Sequence, residues 1–212
     1  MAETQNLFSN LQHSRDAVCR ADGLACARGA ITVFEGVSFS LAAGQALCLR
    51  GANGSGKSSL LRQLAGLLPA AAGTLTHPDP AYGTHYLGHA DGLKAALTIA
   101  ETLAFDAALA GYRADNDAYA DIASRLGLAG CDWQFVGDLS AGQKRRLTLA
   151  RLIMDPRPLW LLDEPMTALD AAGRALVTDL AEAHLGSGGM IIAASHETLD
   201  FADAEVLLEP RR

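Results

Sequence analysis

Hydrophobic and polar positions divide the chain into three stretches of different rhythm. From Val18 to Leu49, short β-like runs at 31–34, 37–41 and 46–49 alternate with glycine. Leucines at 60, 61, 64, 67 and 68 then recur at helical spacing, which predicts a helix over 57–68 directly after a glycine-rich segment. The middle of the chain, about 89–155, is helical in character. Thr98 with Glu101 three residues on is a capping-box start for a helix through 110. A second helix over about 116–126 is closed by Gly127, and a third over 141–154 follows Ser140 and stops at Asp155 and Pro156. Beyond it, continuous apolar runs at 159–162 and 190–194 read as buried parallel strands joined by a helix over about 171–184. The expected fold class is α/β, a sheet interrupted by a helical insert at about 89–155.

Composition narrows the setting. The chain has 212 residues, half of them hydrophobic, enough for one domain with a sizeable core. Its longest apolar runs are strand-sized, well short of the roughly 18–20 residues a membrane helix needs. A net charge of −7 argues against a nucleic-acid partner, because the one dense basic cluster is Lys144-Arg145-Arg146 inside a predicted helix. Cys19, Cys26, Cys48 and Cys131 form no Cys-x-x-Cys pair, so reduced thiols in the cytosol are the expectation. Residues 1–16 are polar, without a signal-peptide core, and are expected to form a disordered extension before a domain spanning 17–212.

The candidate chemistry begins at Gly51-Ala52-Asn53-Gly54-Ser55-Gly56-Lys57-Ser58, a G-x-x-x-x-G-K-[ST] match between a predicted strand and a predicted helix. Glycines let the backbone curl so that N–H groups face phosphate oxygens, and the helix start adds its dipole. Lys57 is suited to the β- and γ-phosphates and the Ser58 hydroxyl to Mg²⁺, with Ser59 next in line. The run 159–162 ends in Asp163-Glu164. Carboxyl ends of parallel strands line the ligand crevice, so Asp163 can hold Mg²⁺ and Glu164 can polarise an attacking water. Alone, such a strand end is usually a solvated turn; with a phosphate loop in the same chain it reads as catalytic. Ser195-His196 closes the next apolar run. His196 is expected beside Glu164, orienting the water and sensing the γ-phosphate.

Leu139-Ser140-Ala141-Gly142-Gln143 stands at the start of the third helix. Ser140 can be no more than an N-cap. The pentapeptide nevertheless resembles the signature of ATP-binding cassette proteins, and Thr167-Ala168-Leu169-Asp170 resembles their D-loop. The likeness covers about residues 18–208, with five motifs in order. It implies a P-loop NTPase fold of the cassette type: a RecA-like core, an antiparallel β subdomain and an inserted α-helical subdomain. It further implies a head-to-tail homodimer in which Ser140, Gly142 and Gln143 of one copy close on the Mg·ATP gripped by the loop of the other.

Two positions depart from most cassette proteins. His89 stands where a glutamine is usual, and Arg28 where an aromatic stacks on adenine. Both departures look like the ATP-binding subunit of the haem exporters of cytochrome c biogenesis. So do Gly88-His89-x-x-Gly92-Leu93-Lys94 and residues 139–146 and 159–170. A guanidinium can stack on a purine, but Arg28 can equally be a solvated charge. His89 can approach Mg²⁺ or remain a plain loop residue. The resemblance implies an ATP hydrolase at the cytoplasmic face of the bacterial inner membrane, reaching the membrane only through transmembrane haem-exporter subunits. No residue shows haem binding by the chain itself. The alternatives are an ATPase serving another small-molecule exporter, or a soluble cassette ATPase outside transport.

Overall fold

The structure is a computed structural model that describes residues 18–77, 83–111 and 116–209. The extension expected over 1–16 lies outside the described residues. The chain divides into two compact units, one comprising residues up to His89 with Arg157–Pro165 and Thr178–Arg212, the other Ala90–Pro156 with Met166–Val177.

The first unit holds two sheets. Strands β1 (Val18–Arg28), β2 (Ile31–Ala42) and β4 (Ala72–Thr76) form an antiparallel sheet in the order β2-β1-β4. The two short runs expected at 31–34 and 37–41 are one strand, because Gly36 at φ 72° carries the chain through an irregularity rather than a turn. Strands β3 (Ala46–Arg50), β5 (Thr84–Leu87), β6 (Leu159–Asp163), β7 (Met190–Ala194) and β8 (Ala204–Leu207) form the second sheet, in the order β5-β6-β7-β3-β8. Its neighbouring strands pair in parallel throughout. Strands β6 and β7 are buried over their full lengths, as continuous apolar runs require of a parallel sheet covered on both faces.

Helix α1 (Lys57–Leu64) packs Leu60, Leu61 and Leu64 into one core with Leu24 and Phe34 of the antiparallel sheet and Leu161 and Ile192 of the parallel sheet. It ends before the expected 68. Gly66 adopts φ 70°, a left-handed residue that stops the helix, and Leu67 is left 65% exposed.

In the second unit, α2 (Ile99–Leu109) starts from a complete capping box between Thr98 and Glu101. Helix α3 (Asn116–Arg125) is closed by Gly127 at φ 66°, with its N–H on the Ser124 carbonyl. The single helix expected over 141–154 is two, α4 (Ala141–Thr148) and α5 (Ala150–Met154). At the junction Leu149 N–H bonds to the Arg146 carbonyl, three residues back, and the tightened turn interrupts the ladder without leaving right-handed backbone. Helix α6 (Ala171–Gly186) runs slightly past the expected 184.

Candidate nucleotide site

Parallel strands carry their chemistry at their carboxyl ends, and four adjacent strands of the second sheet do so in one row. Strand β5 leads through Gly88 to His89, β6 ends at Asp163 and passes to Glu164, β7 passes to Ser195 and His196, and β3 opens into the loop 51–58. The pairing of Leu87 with Leu162, and of Asp163 with Ala194, puts these tips at the same height. The strand ending before His196 therefore neighbours the Asp163 strand, as the sequence reading required.

The loop is built around glycine for steric reasons. Gly51 (φ 145°) lies so close to the Leu208 carbonyl and the Ser55 side chain that a Cβ has no room. At Gly56 (φ 102°), which caps α1, a Cβ would come within 2.6 Å of Phe34 and 2.8 Å of Val33. The loop is thus pressed against β2 below and the end of β8 beside it. Ser55 is fully buried and its Oγ has no hydrogen-bond partner among the described residues. An orphaned hydroxyl inside a loop of curled amides suits an oxygen-rich ligand.

Lys57 is only 7% exposed, and its Nζ donates to the carbonyls of Gly51 (2.8 Å) and Ala52 (3.3 Å). The ammonium is folded onto its own loop, 3.5 Å from His196 Nε2. That nitrogen also lies 3.3 Å from Glu164 Oε1. Lys57, His196 and Glu164 therefore meet in one cluster, the lysine buried, the glutamate half-buried and the histidine open to solvent. Glu164 has φ 51°, a left-handed conformation that usually costs a non-glycine residue about 1–2 kcal/mol. It is fastened by its N–H to the Ala194 carbonyl of β7 (2.9 Å). The left-handed turn takes the chain out of β6 at this residue, and sequence alone gives no sign of it.

Ser58 and Asp163, the latter 2% exposed, offer hard oxygen donors. A hydroxyl and a carboxylate suit Mg²⁺, which takes one or two protein oxygens and completes its shell with phosphate and water. His89 is exposed at the neighbouring strand end. Arg28, at the tip of β1, is exposed and donates from Nη2 to Ser59 Oγ (3.1 Å), the second residue after Lys57. The structure thereby joins Arg28 to the helix that follows the loop.

Ser140, Gly142 and Gln143 lie in the other unit. Ser140 caps α4: its Oγ accepts from Gln143 N–H (3.2 Å), and Gln143 Oε1 accepts from Ser140 N–H (2.9 Å). A Cβ at Gly142 would stand 2.9 Å from the Ala168 carbonyl, and Ala168 itself has φ 64°. The segment 167–170 therefore rests directly on the start of α4. Lys144 and Arg145 of the basic cluster are engaged within this unit. Lys144 donates to the Gly137 carbonyl (3.0 Å), Arg145 faces Asp91, and Arg146 lies against Gly127.

The ABC transporter family profile matches residues 34–167. The cytochrome c biogenesis ATP-binding export protein CcmA of Cereibacter sphaeroides is 53% identical over 190 residues, covering 89% of this chain and 88% of that protein. The protein of the same name from Methylococcus capsulatus is 47% identical, covering 87% and 94%. In three dimensions, an ABC transporter ATP-binding protein from Pyrococcus furiosus superposes with TM-score 0.80 at 21% identity, over 91% of this chain and 98% of that one. At that identity the match speaks for the fold alone, a P-loop ATPase of the cassette type. With relatives this similar along nearly its whole length, the chain belongs to the ABC transporter family, among its cytochrome c biogenesis ATP-binding export proteins.

Proposed function

We propose that this chain is the ATP-hydrolysing subunit of an exporter that handles haem for cytochrome c biogenesis. Two copies close head-to-tail on two Mg·ATP at the cytoplasmic face of the inner membrane. The carrying observation is the row of strand tips that assembles Gly51–Ser58, Asp163, Glu164 and His196 in one place.

Each residue has a share in the reaction. On ATP binding, Lys57 exchanges the Gly51 and Ala52 carbonyls for β- and γ-phosphate oxygens, while Ser55 and the loop amides line the same charge. Ser58 and Asp163 would hold Mg²⁺, which supplies neutralisation of the phosphate charge when bound. Glu164 polarises a water and accepts its proton; the water oxygen bonds to the γ-phosphorus as the bond to ADP breaks. His196, 3.3 Å from Glu164, orients that water and contacts the departing phosphate. Arg28, tethered to Ser59, would lie on the purine, and His89, exposed just past the end of β5, would approach the metal. Ser140, Gly142 and Gln143 of the twin copy complete the enclosure from the helix start they cap.

Among the described residues no helix is long and apolar enough to cross a membrane; in this reading separate transmembrane subunits carry the transport. Membranes solubilised in detergent should yield these subunits, with haem, on affinity capture of the chain; capture with transporter subunits of another substrate would refute the haem assignment. Glu164→Gln should lower phosphate release by about a thousandfold while ATP binding persists and paired molecules accumulate. Normal turnover in that variant would remove Glu164 from its role.

A further inference from the structure

Within the helical unit, the loop 91–97 is tied to α4 directly at one end and through residues 136 and 137 at the other. At one end Asp91 Oδ1 lies 3.7 Å from Arg145 Nη1, with the arginine side chain 7% exposed and the aspartate 32%. At the other, Gly137 N–H bonds to the Ala95 carbonyl (3.0 Å) and Val136 N–H to the Leu97 carbonyl (2.8 Å). The Gly137 carbonyl in turn accepts from Lys144 Nζ of α4 (3.0 Å). Between these ties, a Cβ at Gly92 would stand 3.7 Å from Arg151 Nη1. Arg151 is itself held by Asp106, 2.9 Å away and 3% exposed.

A guanidinium this deeply buried is tolerated only when its charge is matched, and the irregular loop supplies one such carboxylate in Asp91. Helix α4 has only eight residues and ends in the tight turn at Leu149, too short for propensity to fix its direction. Its tertiary ties must do so. Ser140 caps the helix one turn before Arg145, and the capped N-terminus is the part that would face a twin's γ-phosphate.

We infer that Arg145, through Asp91, is a positioning residue: the pair sets the aim of residues 139–143, so that a displacement of the loop 91–97 is felt at the second half-site. The inference rests on the reading that 139–143 closes on a nucleotide held by another copy. It predicts a separation of two measurements, because the phosphate loop and the pair Asp91–Arg145 belong to different compact units.

The experiment uses the Glu164→Gln variant as parent and compares it with the same chain carrying Asp91→Asn or Asp91→Glu. Fluorescent ATP at low protein concentration reads binding to single chains; sedimentation with Mg·ATP reads pairing. Asp91→Asn should leave single-chain binding unchanged, lower the melting temperature because Arg145 loses its counter-charge, and weaken pairing about tenfold, ~1.4 kcal/mol, well beyond the pairing loss of a Thr98→Ala control with a comparable fall in melting temperature. Asp91→Glu, which keeps the charge, should recover most of the pairing. Pairing indifferent to Asp91→Asn overturns the inference alone. So does a loss of pairing that merely matches the Thr98→Ala control. A Glu164→Gln parent that binds ATP yet never pairs overturns the twin-copy reading, and this inference with it.

Discussion

Strand β6 buries all five of its residues, whereas α4 buries three of its eight, and one of those three is an arginine. The contrast extends to the units that hold them. In the sheet-bearing unit, Leu, Ile, Val and Met side chains enclose a core, and the site is made from strand tips and glycine geometry. In the helical unit, capping boxes at Thr98 and Ser140 and the pairs Arg145–Asp91 and Arg151–Asp106 add direction to a smaller apolar interior. Apolar burial is non-directional and strong; charged pairs and caps are weaker but specify orientation. The sheet-bearing unit is thus held by packing, and the start of α4 is oriented by polar ties.

Truncating the sheet core should have the largest effect. Trp160 is 1% exposed on β6, and its ring is stacked at 3.9 Å, nearly parallel, on the fully buried His184 of α6. Trp160→Ala should lower stability by about 3–5 kcal/mol in chemical denaturation. A loss under about 1 kcal/mol would mean the sheet is not the stabilising element this contrast makes it. In the helical unit the matching experiment is Asp106→Ala, which strands the partly exposed Arg151 guanidinium. Screening by solvent keeps that loss near ~2 kcal/mol, below the tryptophan value.

These differences also decide what was legible in the sequence. Continuous apolar runs announced β3, β6 and β7, and the glycine spacing announced the loop, because a buried parallel strand and a phosphate cradle each demand a narrow set of residue types. Strands β4 and β8 gave no such signal: their residues are mostly exposed, and they are strands only because β1 and β3 offer partners. Leucines 67 and 68 continued a helical pattern past Gly66, whose left-handed backbone was the overlooked stop. The strained φ of Glu164 and the pairing of Arg145 with Asp91 were out of reach, since both depend on elements that meet only after folding. Candidate residues on neighbouring strand tips were therefore readable as a set, while the supports that aim them were not.

Cysteines give a milder way to set the two units apart. Cys19, Cys26 and Cys48 are buried in the sheet-bearing unit, and Cys131 is half-buried in the helical one. Burial pushes the Cys19 thiol from 9.0 up to about 12, and raises Cys48 as well. The folded state keeps protons that the unfolded chain releases above 9.0, so stability is intact below that pH and falls as pH rises toward about 12. One pH unit above 9.0 should cost on the order of 1 kcal/mol through Cys19. Alkylation at neutral pH should modify Cys131 first; prompt labelling of Cys19 would contradict the burial on which this slope depends.

The smallest expected effect separates capping from chemistry. Thr98 and Ser140 each anchor a complete capping box of the same form, closed by Glu101 in one case and Gln143 in the other. Replacing either with alanine removes one side-chain acceptor from a helix start, so Thr98→Ala and Ser140→Ala should each lower stability by about 1 kcal/mol. If Ser140 is only a cap, the two variants should also match in ATP turnover. If its hydroxyl reaches the γ-phosphate of a twin, Ser140→Ala should lose turnover beyond Thr98→Ala, with single-chain ATP binding equal in both. Because the structural cost cancels in the comparison, the residual difference belongs to the hydroxyl's contact with nucleotide. Equal turnover in the two variants would reduce Ser140 to a helix cap.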